Sequence, residues 1–116
     1  MYTLKTLMDA NEHKFIDILK IDIEGWEFEA LERFVQPYLE SQEVLPVGQV
    51  QLEIHAWTSS EYGKFAKFKV WWESLEAVGL RPFWTEPNLV YVNIIHGSRP
   101  DLAEVCCSVR CLMTLA

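Results

Sequence analysis

Ile18-Leu19-Lys20-Ile21-Asp22-Ile23-Glu24-Gly25-Trp26-Glu27 joins two unlike patterns. With Phe15-Ile16-Asp17 before it, the first part is a near-continuous β-branched apolar run through Ile23, closed by Glu24-Gly25. A run of this kind ended by glycine predicts a strand buried on both faces of a parallel sheet. From Trp26 to about Gln36 the period changes to that of a helix. Phe28, Leu31 and Val35 fall on one stripe, and Glu27, Glu29 and Glu32 occupy the first two turns, where acids suit the helix dipole. Gly25 stands at the junction because a strand turning sharply into a helix needs a residue free of Cβ strain. Pro37 is expected to end or kink the helix, since its ring clashes with the preceding turn and it offers no N–H. Trp26 reads either as a lid over the helix start or as a core residue.

Outward from this stretch the chain alternates in type. Leu4, Leu7 and Met8 mark a short helix over residues 3–12. Val47 to Trp57 predicts a second strand, with Val50, Leu52, Ile54 and Ala56 on one face and Gln49, Gln51, Glu53, His55 and Trp57 on the other. Thr58-Ser59-Ser60-Glu61 has the form of a capping box with Thr58 as the cap. Phe65, Phe68, Trp72 and Leu75 then recur at helical intervals through Val78, with Gly79 as the left-handed terminator. That aromatic stripe follows one helix face, which is core packing rather than a ligand platform. Leu80–Trp84 and Leu89–Ile95 predict an antiparallel hairpin whose first strand lies at an edge because of Pro82. Gly97 to Ala116 shows no period beyond a short helix around Asp101 to Val105, and its end is expected to be loosely held. Helices alternating with strands predict an α/β fold with a parallel sheet.

The 116 residues carry 10 Lys+Arg against 17 Asp+Glu, a net charge of −7, and half of them are apolar. This describes one domain with a core and excludes a disordered chain. The acidic balance argues against binding nucleic acid or an anionic membrane. No apolar run reaches the roughly 18 residues of a membrane-spanning helix. Met1–Lys14 carries charge where a secretory leader is apolar, so no leader is expected. Cys106, Cys107 and Cys111 form an odd cluster without zinc-site spacing, which makes a reducing, cytoplasmic compartment the default.

Lys20, Asp22 and Glu24 share one side at the carboxyl end of the first strand, and Glu53 and His55 stand at the carboxyl end of the second. Open α/β sheets bind ligands beyond these ends. Parallel neighbours about 4.8 Å apart bring Asp22, Glu24, Glu53 and His55 together, able to orient a hydroxyl or amine, abstract a proton or hold a cation. The competing structural reading pairs Lys20 with Asp22 or Glu53 at a solvated strand end. No metal-ligand set is assigned, because a single histidine without ligand spacing has little specificity. His13 and His96 read as surface residues.

The stretch from Ile18 to Glu27 resembles the FkbM-type and related methyltransferase-like families, whose strand reads L-K-I-D-(V/I)-E-G before a small or aromatic residue and Glu. Gln51-Leu52-Glu53-Ile54-His55, Trp71-Trp72-Glu73-Ser74-Leu75-Glu76 and Gly79-Leu80-Arg81-Pro82-Phe83 look like the branch around methyltransferase-like protein 24. The resemblance implies a Rossmann-like class I fold that uses S-adenosylmethionine and ends in an antiparallel hairpin. It matches Asp22 and Glu24 to the acidic motif at the end of the fourth strand, and Glu53 and His55 to the end of the fifth. The chain departs from the pattern in its glycines: Gly25, Gly48, Gly63, Gly79 and Gly97 are nowhere clustered, whereas the family's cofactor loop is glycine-rich. Its cysteine-rich end departs too.

The expectation is therefore that residues 1–105 form the C-terminal part of a methyltransferase-like domain, two parallel strands with helices plus a C-terminal hairpin, and that 106–116 are a loosely ordered tail. The complete domain would move a methyl group from S-adenosylmethionine to an oxygen or nitrogen acceptor. A carboxylate or His55 would orient or deprotonate that acceptor, and this chain alone would be inactive. Two other classes compete: a noncatalytic interaction module that self-associates through an uncovered sheet edge at 15–23, and a metal-dependent hydrolase built on Asp22, Glu24, Glu53 and His55.

Overall fold

A computed structural model describes residues 2–57, 60–88 and 104–111. The order is α1 (Leu4–Ala10), β1 (Ile16–Ile21), α2 (Glu27–Ser41), β2 (Val47–His55), a 3-10 turn (Glu61–Gly63), α3 (Phe65–Ala77), β3 (Leu80–Pro87) and β4 (Glu104–Cys111). The strands form one sheet in the order β1-β2-β4-β3. β1 and β2 are parallel, in a register that sets Lys20 beside Gln51 and Ile21 beside Leu52. β4 runs antiparallel to β2 and to β3. This is a partial Rossmann-like α/β fold, with β3 at the edge that Pro82 requires.

The core forms where the amphipathic faces meet. Val50, Leu52 and Ile54 of β2 pack under Phe28, Leu31, Phe34 and Val35 of α2 and Trp71 and Leu75 of α3, all nearly inaccessible. The Trp71 indole N–H donates to the Phe28 carbonyl at 3.0 Å, which satisfies its polar end inside the core. Gly48 lets β1 and β2 come together: a Cβ there would lie 2.9 Å from the Asp17 carbonyl oxygen. Among the described residues, no helix is long and apolar enough to cross a membrane.

Several expectations are corrected. β1 is not buried on both faces: Ile18 is 59 % exposed, because β1 is a sheet edge and no described element covers its second face. Of the two outcomes expected at Pro37, ending α2 is ruled out: the helix continues to Ser41 and stops at Gln42, whose φ of 58° is left-handed. Packing carries it past the proline, since Tyr38 and Leu39 beyond it rest against the core and the Tyr38 ring meets Phe34 edge-on. On α3 the buried line is Trp71 and Leu75, flanked by half-buried Phe68 and Trp72, whereas Phe65 is exposed. The helix also starts later, with Ser60 capping the 3-10 turn through the Gly63 N–H rather than a helix; Thr58 and Ser59 lie outside the described residues.

The antiparallel partner of β3 that the structure describes is β4, at 104–111, where the sequence predicts the end of a short helix and a loose tail. Its sequence alternates Val105, Cys107, Val109 and Cys111 with Glu104, Cys106, Ser108 and Arg110, a period-two signal that the expectation of a helix end and tail missed, and hydrogen bonding to a neighbour on each side fixes it as a strand. The expected strand Leu89–Ile95 and His96 lie outside the described residues.

Candidate active site

β1 ends at Ile21, and the chain turns through Asp22, Ile23, Glu24 and Gly25 before α2 begins. Glu24 and Gly25 both have positive φ, 53° and 96°. Trp57 packs on this turn, with its ring 3.2 Å from where a Gly25 Cβ would be. Glycine is thus needed at 25 for its dihedral and for its missing side chain.

Glu27, on the first turn of α2, is completely buried. Its Oε1 accepts the backbone N–H groups of Ile23 and Gly25, both at 3.2 Å, and contacts His55 Nδ1 at 2.6 Å. One carboxylate therefore ties the turn after β1 to the last residue of β2. A carboxylate can only accept, so the Nδ1 that meets it carries the proton, and in the neutral ring Nε2 keeps its lone pair. Glu27 Oε2 is buried and has no hydrogen-bond partner.

His55 is 3 % exposed, and its Nε2 lies 3.7 Å from Glu24 Oε2. Asp22, Glu24 and His55 each offer one ligand atom, all within 4.8 Å of one another. The two carboxylates are exposed and the imidazole is buried. Three of the four site residues expected from the sequence come together here. Glu53 does not join them; it is half-buried on β2 beside Cys106 of β4. Lys20 makes no ion pair with a described carboxylate and instead lines a groove. That groove, of about 460 Å³, runs between α1, β1 and α2 and includes Leu7, Leu19, Ile23 and Trp26. Trp26 is 61 % exposed and so is not a core residue. His13 is exposed, as expected.

Glu27 is the site residue that sequence reasoning passed over. It reads as one more acid favoured by the helix dipole, yet it is also the final residue of the motif that begins at Ile18.

A family model for the methyltransferase FkbM domain matches residues 1–82. The chain belongs to the FkbM methyltransferase family. Searches of curated proteins and of solved structures return no match. The matched span takes in the Asp22–Glu27 turn, His55 and the whole of α3, and reaches into β3. The FkbM match therefore covers all three clustered residues and the Glu27 that braces them.

Methyltransferase domains of this family generally use S-adenosylmethionine as the methyl donor. A nucleoside needs backbone that it can approach closely, usually at clustered glycines. Gly25 backs onto Trp57 and Gly48 onto the Asp17 carbonyl, so at both positions protein atoms already fill the space that the missing side chain leaves. Neither Gly25 nor Gly48 therefore offers open backbone to a nucleoside.

Proposed function

We propose that this FkbM domain takes part in methyl transfer from S-adenosylmethionine to an oxygen or nitrogen nucleophile, and that Asp22, Glu24 and His55 handle the acceptor. The observation that supports this reading is the buried pair of His55 and Glu27. A ring held through Nδ1 turns Nε2 toward Glu24, where it can take the proton from an acceptor hydroxyl or amine. The resulting imidazolium would be stabilised by Glu27 at Nδ1. Glu24 and Asp22, being exposed, would hydrogen-bond the acceptor and fix its approach. Glu53 belongs to the same proposal as a flanking carboxylate on β2.

Neither Gly25 nor Gly48 offers open backbone to the donor, and the 116-residue chain is expected to bind S-adenosylmethionine weakly or not at all. Calorimetry tests that directly, and tight binding would overturn it. The catalytic assignment is tested in a fusion that places the leading strands of an FkbM domain ahead of residue 1. In that form H55Q should lower the methyl-transfer rate by about 10²- to 10⁴-fold. An unchanged rate removes His55 from the mechanism.

A second reading rests on the β1 edge. Ile18, Phe15 and Ile23 are exposed on or beside an edge strand, next to the apolar groove. Such an edge can accept another strand, and a second copy of the chain is one source. Sedimentation of a strictly monomeric, folded chain would count against it.

A further inference from the structure

We infer that Asp22, Glu24 and His55 form a binding site for one divalent transition-metal cation of the Mn²⁺ or Zn²⁺ type. The cation's presence does not depend on the methyl-transfer reading, although its use in activating an acceptor oxygen rests on it. The ligands are distant in sequence and meet through the pairing of β1 with β2.

The donor set is one imidazole nitrogen and two carboxylate oxygens, all mutually within 4.8 Å. Two donors that share one cation at about 2.1 Å in a tetrahedral arrangement stand roughly 3.4 Å apart. His55 Nε2 and Glu24 Oε2 are already at 3.7 Å, and both acids are exposed and can rotate to close the difference. Mixed nitrogen and carboxylate ligands suit Mn²⁺ and Zn²⁺ better than Ca²⁺ or Mg²⁺, which favour all-oxygen shells. Three protein ligands leave open positions for water or an acceptor oxygen; with a cation bound, His55 Nε2 is a ligand and no longer the base, and the cation instead lowers the pKa of the bound oxygen.

Glu27 supplies an observation separate from that spacing. Metal-binding histidines usually donate their other ring N–H to a carboxylate, which fixes the tautomer and aims the coordinating nitrogen. Here that carboxylate is fully buried, 2.6 Å from Nδ1, and its second oxygen has no partner. Among the described residues, no lysine or arginine forms an ion pair with Asp22, Glu24 or Glu27, and a dication would balance the charge of these three carboxylates.

The test is titration of the whole chain with Mn²⁺ alone, without methyl donor, following loss of the free-ion electron paramagnetic resonance signal. One Mn²⁺ per chain is expected. The variants D22N and E24Q alter exposed side chains that support no packing, and each should weaken binding by about tenfold or more; E29Q, an exposed acid outside the cluster, should leave it unchanged. Absence of saturable binding, or wild-type affinity in both D22N and E24Q, overturns the site. If Mn²⁺ binds as expected but the fusion described above transfers no methyl group, the methyl-transfer reading fails and the cation site stands.

Discussion

His55 Nδ1 lies 2.6 Å from Glu27 Oε1, with both residues buried, although one ends a strand and the other begins a helix 28 positions earlier. Because the same oxygen accepts two backbone N–H groups of the turn after β1, Glu27 joins the β1–α2 corner to β2. A buried acid costs stability unless it is well partnered, and this one has three donors on a single oxygen. The corner and the imidazole should therefore fail together when Glu27 is lost.

Glu27→Ala leaves two backbone N–H groups and a histidine nitrogen without their acceptor in a buried site. A loss of about 3 kcal/mol or more in urea unfolding is expected. The exposed Glu29→Ala, on the same helix, should stay within about 0.5 kcal/mol of the parent. Equal stability of the two variants would show that the Glu27 network contributes nothing.

Gly25→Ala meets two penalties, a φ of 96° and a ring atom of Trp57 at 3.2 Å. The left-handed backbone alone costs an L-residue about 1–2 kcal/mol. Thermal unfolding should report at least that loss, and no loss would mean that the turn readily adopts another conformation.

Pro37→Ala should stabilise the protein. Proline inside a helix costs about 3 kcal/mol, part of which is offset because proline also restricts the unfolded chain by about 0.4–1 kcal/mol. A net gain of about 2 kcal/mol in the urea midpoint analysis is expected. A loss would mean that the α2 backbone around Pro37 is adapted to the ring.

Tyr62 stacks on Phe28 at 4.3 Å and donates to Glu32 at 3.0 Å. Burial, followed by the Glu32 carboxylate, pushes its hydroxyl up to about 12 from an ordinary 10.0. A folded-state pKa above the unfolded value means that the protonated form is favoured by folding. The contribution is therefore complete below pH 10 and is lost as pH rises toward 12. Stability measured across that window should fall more steeply for the parent than for Tyr62→Phe. Identical slopes would exclude Tyr62 as the source.

Much of the fold follows from local pattern. The periods of α1, α2 and β2, the glycine stops at 25 and 79 and the edge position forced by Pro82 all act within a few residues, so they are visible in the chain itself. So is the gathering of Asp22, Glu24 and His55, because two parallel strands present their carboxyl ends on the same side. Tertiary structure alone decided the rest. The place of Glu104–Cys111 between β2 and β3 comes from two flanking ladders, and the passage of α2 through Pro37 comes from core contacts of Tyr38 and Leu39. The bracing of His55 by Glu27 and the exclusion of Glu53 from the cluster depend on how a helix start meets a strand end. Periodicity tells which face a residue takes; which atom it finds there depends on partners distant in sequence, and those are fixed when the layers pack.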